Sequence, residues 1–142
     1  MEINGIAHVM LTVSNFEACL PFYEQLLGCL GLKPVIKADS ILYCVGGRTA
    51  VGIVKAEDKY RDERFVQLRV GLHHLCFRAR ERADVDALYT FLRQIGAKII
   101  HPPEEGPWAR GYYSVLFEDP DGVRLEVNHV PGKGLLADPP QA

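Results

Sequence analysis

Residues 6–13 read IAHVMLTV, and residues 72–79 read LHHLCFRA. Each alternates in the manner of a strand with one buried face. In the first, Ala7, Val9, Leu11 and Val13 form an apolar side, and Ile6, His8, Met10 and Thr12 form the other. In the second, Leu72, His74, Cys76 and Arg78 share a side opposite His73, Leu75, Phe77 and Ala79. His8 and His74 lie 66 residues apart, as do Tyr23 and Tyr89. Gly31 and Gly96 are 65 apart, and Gly47 and Gly122 are 75 apart. A duplicated unit is expected, its second copy carrying about ten extra residues, HPPEEGPWAR at 101–110.

Working outward, β-branched segments are expected as strands at Ile3–Val13, Lys33–Ile36, Ile41–Val45, Thr49–Lys55, Leu68–Ala79, Lys98–His101, Tyr112–Glu118 and Val123–Val130. Two segments carry helical spacing instead. Phe16, Leu20, Tyr23, Leu27 and Leu30 form one stripe, with Ser14-x-x-Glu17 as a capping box. Pro21 requires a kink there or a later start. Val85, Leu88, Leu92 and Ile95 form the other, with Asp84 as N-cap and Gly96 as the stop. The order βαβββ, repeated, predicts an α+β fold of two tandem modules that form a cupped mixed sheet with flanking helices. Module one covers about 1–66 and module two about 67–130 of a single domain, and the Pro- and Gly-rich tail at 131–142 is expected to be extended or mobile. The charged stretch Lys55–Arg69 reads as a solvated connection.

The 142 residues are 48% hydrophobic and 24% charged, which excludes extensive disorder. A net charge of −2 argues against binding nucleic acid or a membrane surface by bulk charge. No apolar run spans a bilayer and the N-terminus lacks signal-peptide character, so a cytoplasmic protein is expected. Cys19, Cys29, Cys44 and Cys76 form no CxxC pair and read as small buried hydrophobes.

The chemistry lies on the mixed faces. His8 and His74 occupy equivalent places in the duplication, and Glu126 shares its strand face with Arg124 and Asn128. Two imidazoles and a carboxylate would hold a divalent metal with positions left open, the pattern of a catalytic site. His73, on the opposite face, is read as structural or supporting. Tyr112, Ser114 and Leu116 share a face directed at the same place, with Tyr112 able to supply a hydroxyl for proton transfer. Met10 and Cys76 would line the pocket, and Trp108 and Arg110 in the extra segment would cover a ligand. Gly106 and Gly111 bracket Trp108, so residues 101–111 are read as a lid.

The segments HVMLTV (8–13), FYEQLLG (22–28), GLHHLCF (71–77) and FEDPDGVRLEV (117–127) together resemble the vicinal-oxygen-chelate superfamily, which contains glyoxalase I, extradiol dioxygenases, fosfomycin-resistance enzymes and bleomycin-resistance proteins. The resemblance implies paired βαβββ modules around one divalent ion (Mn, Fe(II), Ni or Zn), with His8, His74 and Glu126 on the ligand positions. It implies a homodimer acting on a small oxygenated molecule that chelates the metal through two oxygens, by lyase, isomerase or dioxygenase chemistry. The alternative is a drug-sequestering protein of the bleomycin-resistance type.

Departures from the branches are specific. The fourth ligand of glyoxalase I falls at about Val51, and no Glu, Gln, Asp or His occurs from Thr49 to Lys55. Leu116 stands where the dioxygenases and fosfomycin enzymes carry a Tyr, and Met10 where the latter carry a Thr.

Overall fold

The structure, a computed structural model, describes residues 1–134. Two compact units, Met1–Phe65 and the chain from Val66 onward, each carry one βαβββ motif. The first holds β1 (His8–Val13), α1 (Phe16–Cys29), β2 (Lys33–Ala38), β3 (Ile41–Gly46) and β4 (Thr49–Lys55). The second holds β5 (Leu75–Arg78), α2 (Arg82–Gln94), β6 (Lys98–Glu105), β7 (Tyr113–Glu118) and β8 (Arg124–His129). Each sheet is four-stranded and mixed, in the orders β1-β4-β3-β2 and β5-β8-β7-β6. The first and last strands of each motif pair in parallel and the rest pair antiparallel. Each unit thus has the expected α+β content and βαβββ order. Of the Pro- and Gly-rich tail, residues 135–142 lie outside the described residues.

Each helix seals one face of its own sheet. On α1, Cys19, Tyr23, Leu26 and Leu27 are fully buried, each large apolar side chain contributing roughly 1.5–3 kcal/mol. The N-cap is Asn15, not Ser14, for the Asn15 amide oxygen accepts from Ala18 N at 3.2 Å. The helix runs through Pro21 rather than starting near it. On α2, Asp84 acts from the third helical position, its carboxylate accepting from Glu81 N at 3.0 Å. Gly96, at φ +70°, ends that helix as expected.

Three strand expectations need correction. β1 begins at His8, and β5 is only four residues long, so His73 and His74 precede it. Gly71, at φ +136°, interrupts the extended backbone just before. β6 runs on to Glu105, so half of the extra segment is strand, with register shifts around His101. Only residues 106–112 form the loop, closed by Gly106 N donating to Tyr112 O and Tyr112 N donating to Ala109 O, both at 3.1 Å.

The register also moves the first unit's counterpart of Glu126. Cys76 stands opposite Glu126 across β5 and β8, and Met10 stands opposite Gly52 across β1 and β4. The counterpart is therefore Gly52, not Val51. Val51 is 2% exposed and lies in register with Val9 and the buried Cys44, on the face that α1 covers. A Cβ at Gly52 would stand 2.7 Å from Leu42 O and 2.7 Å from Met10 Sδ, so the absent side chain is a steric requirement.

Candidate functional site

A cavity of about 640 Å³ lies in the second unit. β7 presents Ser114 and Leu116 to it, and β8 presents Glu126. Tyr112, one residue before β7, shares their face, while Tyr113, Val115 and Phe117 pack on the other. Trp108, 70% exposed, stands at the rim. Gly106 threads between the Trp108 and Tyr112 rings, where a Cβ would lie 3.2 and 3.1 Å from them.

The centre of the site is Glu126, 8% exposed. One carboxylate oxygen, Oε1, accepts a hydrogen bond from the Tyr112 hydroxyl. The other, Oε2, lies 3.2 Å from His74 Nε2. Burial, then the hydrogen bond to Glu126, pushes the Tyr112 phenol above its ordinary range, so it stays protonated and donates. Burial and the charge of Glu126 push the Cys76 thiol up to about 12. Cys76 stands opposite Glu126 in the sheet, and its Sγ donates to Phe77 O at 3.7 Å.

His74 is held from its other side. Its Nδ1 is 2.7 Å from His73 Nδ1, and Gln67 Nε2 lies 3.3 Å from that same His73 nitrogen. His73 therefore does not face the helix layer: it precedes the strand, escapes its alternation and lines the cavity with Gln67. Gln67 was hidden in the charged connection, and no pattern in the sequence marks it. His101, Glu104 and Glu105 line the cavity because β6 extends past its expected end. His101 sits 3.5 Å from Glu104, and Glu105 pairs with Arg82 at 2.9 Å.

Of the residues singled out from sequence, the structure brings together His74, Glu126, Tyr112, Ser114, Leu116 and Trp108. Arg110 is exposed in the 106–112 loop and does not line the cavity. His8 and Met10 belong to the first unit, on the exposed side of β1 as their alternation requires, with the His8 ring centroid 6.3 Å from that of Tyr43. Cys19 and Cys44 are buried as expected, whereas Cys29 is exposed.

Among the described residues, no three His, Cys, Asp or Glu side chains are grouped so as to hold a metal ion. The pair that is present nevertheless suits one. Two donors about 2.0–2.2 Å from a common ion stand roughly 3 Å apart, close to the 3.2 Å between His74 Nε2 and Glu126 Oε2. Both atoms are hard or borderline donors suited to first-row divalent ions.

Residues 5–127 match the Glyoxalase/Bleomycin resistance protein/Dioxygenase superfamily. The chain belongs to that superfamily. Relatives include the uncharacterized protein YqjT of Bacillus subtilis, 32% identical over 122 residues, covering 84% of this chain and 94% of the relative. The metallothiol transferase FosB of Shouchella clausii is 30% identical over 136 residues, covering 96% of this chain and 84% of the relative. Among solved structures, a glyoxalase-type protein from Bacillus halodurans superposes with a TM-score of 0.79 at 30% identity, covering 89% of this chain and 96% of that one. A lactoylglutathione lyase from Agrobacterium tumefaciens, at 23% identity and a TM-score of 0.66, covers 91% and 96% and shares the fold. No helix among the described residues is long and apolar enough to cross a membrane.

Proposed function

We propose that this superfamily member is a divalent-metal-dependent enzyme acting on a small oxygenated molecule that binds in the cavity of the second unit. The observation that carries this reading is the pairing of His74 Nε2 with Glu126 Oε2 at 3.2 Å on the cavity wall, with the second carboxylate oxygen already engaged by Tyr112. His74 and Glu126 would hold the ion, and His8 of the first unit is the proposed third ligand. Mn, Fe(II), Ni and Zn all suit such a donor set. The ion would act as a Lewis acid toward neighbouring substrate oxygens.

The chain's own residues do the rest. Tyr112 orients the Glu126 carboxylate by hydrogen-bonding Oε1, which leaves Oε2 directed at His74. Held protonated by burial and by Glu126, the same phenol is a proton donor for a substrate oxygen that gains negative charge. Ser114, 4% exposed, and Leu116 shape the wall behind it. Trp108 would cover bound ligand, with the 106–112 loop as a shorter lid than the sequence implied.

Lyase, isomerase, dioxygenase and thiol-transferase chemistries all remain within this reading. The FosB relative favours the last, while Met10 and Leu116 depart from the fosfomycin-enzyme pattern. Gly52 disfavours a glyoxalase I-like four-ligand set, because the first unit has no side chain at the counterpart of Glu126. A cytoplasmic homodimer is the proposed working form.

Equilibrium dialysis of chelator-treated protein against each ion tests the proposal. Wild type should take up close to one ion per chain, and His8→Ala, His74→Ala and Glu126→Ala should each abolish tight uptake. A wild-type protein that binds no ion yet binds small apolar drugs would overturn the enzyme in favour of sequestration. A screen of vicinal diols, 2-oxoaldehyde–thiol adducts and epoxides with thiols then sorts the reaction types.

A further inference from the structure

We propose that His73 and Gln67 are positioning residues that fix the proton of His74 on Nδ1 and so present its Nε2 lone pair to the cavity. The inference rests on the metal reading for its purpose, but its geometry stands alone. His73 Nδ1 and His74 Nδ1 are 2.7 Å apart, with ring planes inclined at 75°. One hydrogen lies between those two nitrogens, and the distance does not say which ring owns it. Gln67 does. Its Nε2 is 3.3 Å from His73 Nδ1, and an amide nitrogen only donates. His73 Nδ1 is therefore the acceptor, and the shared hydrogen belongs to His74 Nδ1.

A neutral imidazole with its hydrogen on Nδ1 carries its lone pair on Nε2. That lone pair faces a carboxylate oxygen, Glu126 Oε2, at 3.2 Å. Two acceptors then face each other across that gap, an arrangement that a cation between them relieves. Without His73, the opposite tautomer is preferred, because a hydrogen on Nε2 can then be donated to Glu126 and the gap closes as an ordinary hydrogen bond. His73 thus biases the site against self-satisfaction. It does for His74 what a carboxylate or backbone carbonyl does for metal-ligating histidines generally. It can do so because it lies outside β5, where strand alternation would turn it away.

The test uses the full chain with His73→Ala, His73→Asn and Gln67→Ala. Asn places an acceptor oxygen near the site of His73 Nδ1, so it is the conservative variant. The first readout is the His74 tautomer in metal-free protein, from long-range proton–nitrogen correlations at pH 9, above the ordinary histidine range. Wild type and His73→Asn should show the hydrogen on Nδ1, and His73→Ala should show it on Nε2. The second readout is zinc affinity by chelator competition. His73→Ala should lose about 10–100-fold, His73→Asn should recover most of that, and Gln67→Ala should lose less. Thermal melts confirm that the variants fold, as expected for the exposed His73. A His74 tautomer that is on Nε2 in wild type, or is unchanged in His73→Ala, overturns the proposal. Zinc binding absent from every protein overturns the metal reading alone, and the tautomer result still decides the positioning.

Discussion

Gly52→Ala is the substitution whose cost the structure specifies most closely. The added Cβ would lie 2.7 Å from Leu42 O, 2.7 Å from Met10 Sδ and 2.9 Å from Met10 Cε. A close carbon–oxygen contact sits at about 3.3 Å or beyond, so Leu42 O must retreat by roughly 0.6 Å or the strand must bend. Leu42 belongs to β3, which is locked to β4 by a continuous antiparallel register from Ile41↔Val54 to Gly46↔Thr49. The carbonyl therefore yields little, whereas Met10, 38% exposed, can swing away. Overpacking of this kind costs about 1–3 kcal/mol. Urea unfolding should show a midpoint lower by about 1 M with an unchanged slope. Adding Met10→Ala should restore only part of the loss, because the clash with Leu42 O remains. Gly52→Ala within a few tenths of a kcal/mol of wild type would refute the β1–β4 register and the equivalence of Gly52 with Glu126.

Other outcomes follow from the second unit. Burial works to raise the pKa of Glu118, but hydrogen bonds from Lys98 at 2.8 Å and Arg124 at 3.0 Å outweigh it and hold the carboxyl below its ordinary value. A lowered folded pKa means stability that is present above the unfolded value and lost as pH falls through the folded one. Glu118→Gln should therefore cost about 1–2 kcal/mol at pH 7, and the deficit should vanish in acid, as followed by thermal melts across pH. Cys76, its thiol pushed up to about 12 by burial and by Glu126, should resist iodoacetamide at pH 8, and Glu126→Gln should speed its alkylation; mass spectrometry of the labelled peptides reads both. Trp108, the single tryptophan, is 70% exposed, so ligand in the cavity should blue-shift its emission, and an unchanged spectrum at saturation would count against the covering loop.

What the sequence revealed and what it hid have physical causes. Period-two alternation in IAHVMLTV placed His8 and Met10 on the exposed side of β1 correctly, because that strand runs unbroken from His8 to Val13. The same rule misplaced His73, because Gly71 breaks the backbone and the strand starts only at Leu75. Spacing from Gly47 and Gly122 points to Val51 as the counterpart of Glu126, one residue short of Gly52 in the register, and a slip of one residue turns every side chain to the other face. Glycine, having no side chain, gives a pattern no sign of its own orientation. The Tyr112–Ser114–Leu116 face and Glu126 were legible because β7 and β8 alternate cleanly against α2. Gln67 and His101 were not, since each reaches the cavity from an irregular segment or a shifted register.

The central claim is that a cation belongs between His74 Nε2 and Glu126 Oε2. Anomalous diffraction from a crystal of the full chain grown with manganese or zinc, with data collected at the metal's edge, tests it directly. The account predicts one strong peak per chain, about 2.0–2.2 Å from both atoms, with the Tyr112 hydroxyl still on Oε1. A peak lodged instead on His101 and Glu104, or no peak with His74 hydrogen-bonded to Glu126, would contradict it.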